Sequence, residues 1–372
     1  MKEGWTYKKL GEIATDMYRG SGIKRDQVTK EGIPCVRYGE IYTTYNVAFD
    51  SCVSHTKEEN ISSPKYFEYG DLLFAITGES VEDIGKTIAY LGHDKCLCGG
   101  DIVCMKHKQN PKFLSYVLST PDAIRQKGIG KTKLKVVHTN IPSLSEIQIP
   151  LPPLSEQQSI VDYLDSAFAK IDAMKANAEN ALNEAKTLFQ ASLKEMLEPK
   201  EGWEELLLIK EFSLKSGEYL SSKMQKTGAI PVYGGNGITG YHNMHNYEGR
   251  QLLIGRVGAL CGNIHLTSGK IWVTDNAFVV KNIKDYWNKK FLKFELDFLN
   301  LNQYASQSAQ PVISNKSMRD VVIQKPPIHE QQSIVTTLDS LKSKVDRLHE
   351  NFDKISQECD ALKQAILRQV FE

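Results

Sequence analysis

The sequence predicts an α+β chain: two similar globular α/β domains separated by a long antiparallel two-helix coiled coil, with an internal pseudo-twofold repeat. Three observations predict it. Each half opens on the same four residues, Lys-Glu-Gly-Trp, at Lys2–Trp5 and at Lys200–Trp203. Each half closes on a Pro-Pro-x-x-Glu-Gln-Gln-Ser-Ile-Val junction, in "PLPPLSEQQSIVDYLD" from Pro150 and "KPPIHEQQSIVTTLD" from Lys325. After each junction comes a long run whose apolar residues recur at alternating steps of four and three, the spacing of a coiled-coil seam. A repeat of such long period marks a duplicated domain with a duplicated appendage. The implied boundaries are 1–150 and 200–325 for the globular parts, and 151–199 and 326–372 for the helices.

At 372 residues the chain is long enough for two or three domains with real cores. A net charge of +1 and ordinary apolar content exclude a disordered chain or a polybasic arm. No apolar run approaches the ~18 residues of a membrane span, and the N-terminal residues carry no apolar signal region, so a soluble cytoplasmic protein is expected. Seven cysteines, an odd number scattered along the chain, fit free thiols in a reducing compartment.

The globular parts read as β-rich. Strand-like runs in the first are "IPCVRY", "DLLFAIT" and "DIVCMK"; in the second they are "AIPVYG", "QLLIGRVG" and "NAFVVKN". A short helix follows in each, "PKFLSYVLS" or "KKFLKFELDFLN", then a polar loop and the Pro-Pro junction. Pro-Pro cannot continue a helix, and Ser155 with Glu156 offers an N-cap with favourable dipole charge. In the second long helix the seam runs Ile334, Leu338, Leu341, Val345, Leu348, Phe352, Ile355, Cys359, Leu362, Ile366. Subtracting 174 gives Ile160, Leu164, Ala167, Ile171, Met174, Ala178, Ala181, Ala185, Leu188, Ser192, an identical register with smaller side chains. Small facing large favours pairing within one chain; a dimerising coiled coil is the alternative. The first helix has a further stripe, Val161, Phe168, Leu182, Phe189 and Met196, to be covered either by its own heads or by another subunit.

Enzyme signatures are incomplete. "GESVEDIGKT" and "GIGKT" end like phosphate loops, but Ser80 and Arg125 stand where the motif opens on Gly. The Pro-Pro pairs lack the flanking residues of an adenine-methylating site, and no glycine-rich S-adenosylmethionine turn is present. His93, Cys96, Cys98, Cys104 and His107 have loosely metal-like spacing, yet buried structural thiols account for them better than zinc. No catalytic or metal site is assigned. What is present is charge asymmetry. Between Ala123 and Ser145 there is no acid, and Lys131, Lys133 and Lys135 alternate so as to share one strand face suited to phosphates. From Tyr219 to Thr274 the only acid is Glu248. Gly/Asn/Tyr-rich loops there suit close approach to a polymer and hydrogen bonds to base edges. The candidate DNA-contacting residues are Arg19, Lys24, Arg25, Tyr42, Lys131, Lys133, Lys135, Lys223, Tyr233, Asn236, Tyr241, Arg256 and Asn276. The candidate coiled-coil or subunit-interface residues are Ile160, Leu164, Ile171, Leu188, Ile334, Leu338, Val345, Phe352 and Leu362.

The two junctions, together with "IPVYGGNGITGY" and "LLIGRVGALCG…WVTDNAFVV" in this order, resemble the specificity subunit of type I restriction-modification enzymes over essentially the full length. The resemblance implies two target-recognition domains and two conserved helices paired antiparallel. It further implies double-stranded DNA, two adenine methyltransferase subunits and ATP-dependent restriction subunits as partners. S-adenosylmethionine, ATP and Mg²⁺ would then sit on those partners, with no cofactor on this non-catalytic chain. The competing readings are an adaptor with duplicated protein-binding heads and a dimerising coiled coil, and a solitary enzyme.

Overall fold

The computed structural model describes residues 4–81, 83–130, 137–306 and 310–372. Two compact units divide the chain: Met1–Ala178 with Asp353–Glu372, and Glu179–Phe352. The long helices, Leu154–Leu197 and Ile328–Phe371, have 44 residues each, offset by 174 at both ends. They are not segments apart from the globular parts, as the sequence boundaries imply. Each helix contributes to both units, because its apolar face is buried in their cores.

In the first unit a five-stranded sheet runs in the order Ala14–Arg19, Ile102–His107, Leu72–Ala75, Thr87–Tyr90, Ala48–Phe49. Leu72 to Ala75 are all buried, as expected for an unbroken apolar run covered on both faces. A second five-stranded sheet holds Ile33–Val36 parallel to Cys96–Cys98. In the second unit the order is Ser213–Ser216, Ala277–Lys281, Leu252–Gly255, Ile264–Leu266. Its second sheet holds Ile230–Gly234 parallel to Lys270–Val273. Antiparallel ribbons, Thr6–Lys9 with Gln148–Leu151 and Glu204–Leu207 with Val322–Lys325, close the respective heads. The frame is therefore duplicated.

The recurring letters have a common structural reason. Gln157 is fully buried; its Oε1 accepts from the Asn110 backbone N–H at 2.9 Å and its Nε2 donates to the Pro152 carbonyl at 3.0 Å. Gln331 repeats this, accepting from the Asn288 N–H at 2.8 Å and donating to Pro326 O at 2.9 Å. Asn110 and Asn288 cap the short helices Pro111–Val117 and Lys289–Phe298 through their side chains. One residue before each glutamine, a glutamate takes the indole N–H of the opening motif. Trp5 donates to Glu156 at 2.8 Å and Trp203 to Glu330 at 3.1 Å. Lys112 with Asp165, and Lys290 with Asp339, add a third matched link. Ser155 lies inside the first turn instead of capping it, since the helix already begins at Leu154.

The seam of the first helix differs from expectation. Val161, Leu164, Ile171, Leu182 and Leu193 are buried, with Phe168 and Phe189 half-buried beside them. The stripe at multiples of seven is thus the seam itself. Met174 and Leu188 face solvent, Leu188 at 68 % exposure. Both phases share Leu164, Ile171, Ala178 and Ala185, so the repeat alone cannot separate them; the larger side chains decide. Ile160 is half-buried against the first unit's core. In the second helix Ile334 and Leu338 are buried and Val345 and Phe352 half-buried, but Leu362 is exposed. Lys363 replaces it, its ammonium 2.5 Å from Asp172 and over the Phe168 ring. Within the first unit the helices run antiparallel: Cys359 Sγ contacts Ile171 O at 3.8 Å, Lys363 lies over Phe168, and Leu367 shares a core with Leu164. In the second unit Leu193 and Leu197 share a core with Ile334, Val335 and Leu338. Among the described residues no helix is long and apolar enough to cross a membrane.

Replacing Gln331 by Ala leaves the Asn288 N–H and two carbonyls without their partner, each buried orphan costing about 1–3 kcal/mol. A clear fall in the urea midpoint is expected, against little change for the exposed Gln332→Ala; equal midpoints would contradict this.

Candidate nucleic-acid interface

Polar loops converge at the carboxyl ends of the parallel strand pair in each unit, the place where open sheets leave a crevice. In the first unit Gly99 N–H bonds to Val36 O at 2.9 Å and Ser21 N–H to Cys98 O at 2.8 Å. Gly20 makes this approach possible: a Cβ there would lie 2.2 Å from Gly99 O. Gly217 repeats it, with 2.3 Å to Val273 O. After Val36 the chain enters a short helix, Tyr38–Thr43. A cavity of about 700 Å³ lies between this helix, Gly99–Asp101 and the Gly22–Arg25 loop. On the other side of Tyr38 and Thr43 a second, of about 860 Å³, reaches Tyr42, Thr77 and Lys86.

Internal pairing sets which cations are available. Arg37 gives Nε and Nη2 to Glu40 Oε1 at 3.0 and 2.9 Å, while buried Glu40 also accepts from Ser54 Oγ at 2.6 Å. Arg19 pairs with Asp101 at 2.7 Å and donates to Gly100 O. Lys24 and Arg25 are exposed on the adjoining turn. Tyr42 donates its hydroxyl to Thr77 O at 3.1 Å, and burial holds its phenol above the ordinary range.

In the second unit the equivalent strand runs into a tight hairpin, Ile230–Gly234 with Gly237–His242, turning through Gly237 at φ 95°. Asn236, exposed at the turn, accepts from Asn263 Nδ2 at 2.7 Å. Tyr233 is half-buried beside His265, whose imidazole is kept below its usual range by burial. Tyr241, Lys223 and Asn276 are exposed. Arg256 is not: it lies over Phe278 at 5.1 Å, reaches Ser216 Oγ at 3.3 Å, and its Nε is buried without a partner. Its backbone joins Asn276 O and Ile313 N, so it builds the strand end instead of projecting from it. Lys131, Lys133 and Lys135 lie outside the described residues. The structure thus places Arg25 at the first cavity with Lys24 on the same turn, Tyr42 at the second cavity, and Asn236 and Tyr241 on one hairpin. Sequence reasoning missed Arg37, Tyr38, Thr43 and the Gly99-Gly100 backbone. The signal that finds them is the match of "IPCVRYGE" to "IPVYGGNG", which puts both stretches at one place in the frame. The cysteines at 96, 98 and 104 are buried free thiols.

Two copies of one strand frame, each with its own loops and each tied to the same pair of long helices, define a duplicated recognition architecture. The model of the type I restriction modification DNA specificity domain matches residues 2–184 and 200–357, and the chain belongs to that family. It is 34 % identical to the type I restriction enzyme EcoprrI specificity subunit of Escherichia coli over 149 residues, 39 % of this chain and 36 % of that one, so this match spans about a third of that relative. It is 23 % identical to the EcoKI specificity subunit of E. coli K12 over 422 aligned positions, 100 % of this chain and 89 % of that one. A chain solved in a study of complex assembly and conformational transition of the type I R-M system superposes at a TM-score of 0.80. It shares 19 % identity, covering 99 % of this chain and 98 % of that one, a likeness of fold.

The acid-free stretch after Ala123 contains a surprise. Arg125 is paired with Asp122, and Lys127 is buried, its ammonium bonded to Leu118 O at 2.8 Å and Thr87 Oγ1 at 3.2 Å. Burial without a carboxylate pushes the Lys127 pKa down to about 7. The folded state therefore binds fewer protons than the unfolded one between about pH 7 and the ordinary lysine value near ~10.4, and stability rises with pH across that window. Lys127→Met should abolish this slope in denaturation midpoints measured from pH 7 to 10, and an unchanged slope would assign it elsewhere.

Proposed function

We propose that this chain is the sequence-specific DNA-recognition subunit of a type I restriction-modification complex. It reads a bipartite target, one specified block per globular unit, across an unspecified gap. The observation that carries this reading is the duplicated frame with unlike loops at the same strand ends: a helix beside a crevice in one unit, a hairpin in the other. Unlike loops on like frames are what two different half-sites require. Exposed lysines and arginines such as Lys24, Arg25 and Lys223 position each unit on phosphates, and loop side chains read base edges in the major groove.

The paired long helices act as a strut that sets the gap, with block centres about one helical turn (~34 Å) apart. The pseudo-twofold directs two methyltransferase subunits to opposite strands, where each flips and methylates one adenine with its own S-adenosylmethionine. Restriction subunits bring ATP, Mg²⁺ and cleavage. This chain supplies the address and no chemistry.

Exchanging residues 1–150 for another recognition domain should change one block of the methylated motif and leave the other, as read by sequencing modified sites. A change in both blocks would refute independent readers. One heptad inserted at the midpoint of each long helix adds ~10 Å, hence about three base pairs of gap; an unaltered gap would remove the helices as the spacer.

A further inference from the structure

The hairpin of the second unit carries an inference that rests on the DNA-reading function above and specifies how that unit reads. Its pairing runs Val232 opposite Gly240 and then Tyr233 opposite Ile238, so Thr239 is an extra residue in the outer strand. Such a bulge resets the alternation of side chains and re-aims its neighbours. Ile238 and Tyr241 are three apart, a spacing that puts residues on opposite faces of a regular strand. Here both are exposed, at 51 % and 56 %.

The chain beside them is cationic. Lys226 N–H donates to His242 Nδ1 at 2.9 Å, and a Cβ on Gly240 would lie 2.2 Å from Gln225 Oε1. The segment around Ser221–Thr227 therefore lies along the outer strand, with Lys223 and Lys226 exposed next to the apolar pair. Glu248 is the only acid from 219 to 274. Two exposed apolar side chains with lysines on the adjoining segment match a polyanion that carries apolar groups beside its charged rim. The major groove of duplex DNA has that pattern, with phosphates at the edges and thymine methyl groups on the floor, and it admits a two-stranded ribbon.

We propose that this bulged hairpin enters the major groove of the second unit's block, where Ile238 and Tyr241 contact thymine 5-methyl groups while Lys223 and Lys226 hold the flanking phosphates. The first unit has the Tyr38–Thr43 helix at the equivalent place and reads its block by other contacts.

The test uses the full chain assembled with its methyltransferase. Sequencing of methylated sites first gives the two blocks. Binding is then measured to duplexes in which deoxyuridine replaces thymine in the second block only. Wild type should lose about fourfold in affinity per contacted methyl group. The Ile238→Ser/Tyr241→Ser variant should bind the two duplexes equally and accept other bases at those positions. Retention of its first block would show the complex intact. A second block without thymine, or a wild type indifferent to deoxyuridine, overturns the hairpin assignment while leaving the two-block reading in place. Absence of any two-block motif in wild type overturns that reading and the assignment with it.

Discussion

A buried carboxamide stands at the joint between head and helix in both units, and much of the architecture depends on it. Gln157 and Gln331 each satisfy the N–H of a cap residue and the carbonyl of a proline turn, groups that have no water to turn to. Leaving such groups unpaired costs far more than a surface hydrogen bond contributes. The amide therefore fixes the direction in which the long helix leaves the sheet. The Trp–Glu bond beside it ties the opening of each half to the same turn. A head that shifted on its helix would break all of these together.

That rigidity is confined to the frame. At the carboxyl ends of the parallel strands the two units diverge, one into a helix and the other into a bulged hairpin. Glycines 20 and 217 keep the strand ends pressed together in both, so the loops vary on a constant base. The separation of tasks is physical: buried polar pairs and contiguous apolar strands hold the frame, and solvent-facing loops bear few such obligations and are open to change.

The repeat, the bounds of the long helices and the strand runs were legible in the sequence, because long period, Pro-Pro punctuation and unbroken apolar stretches are strong signals. The seam of the first helix was not. Two heptad phases share Leu164 and Ile171, and only packing distinguishes Val161 and Phe168 from Ile160 and Ala167. Leu362 fails for a related reason: the ammonium of Lys363 lies over the Phe168 ring, a use of a long cation that a search for apolar letters passes over. For the site, counting charges grouped Arg256 with the exposed cations, whereas it is half-buried over Phe278 at a strand end. Asp101 and Glu40, distant or unremarked in sequence, neutralise Arg19 and Arg37. A charge tally is blind to partners that only folding supplies.

Phe113 in the first unit packs edge-to-face on Phe371, and Leu164 shares its core with Leu367. The ribosome makes these partners far apart in time. The N-terminal globule leaves the exit tunnel with part of its core unfilled and waits while the whole second unit is translated. Only then can the returning strand of helix seal it. Cells making this protein must shield that half-finished globule from its neighbours, and a premature stop codon close to the end would harm the beginning of the molecule as well as its tail.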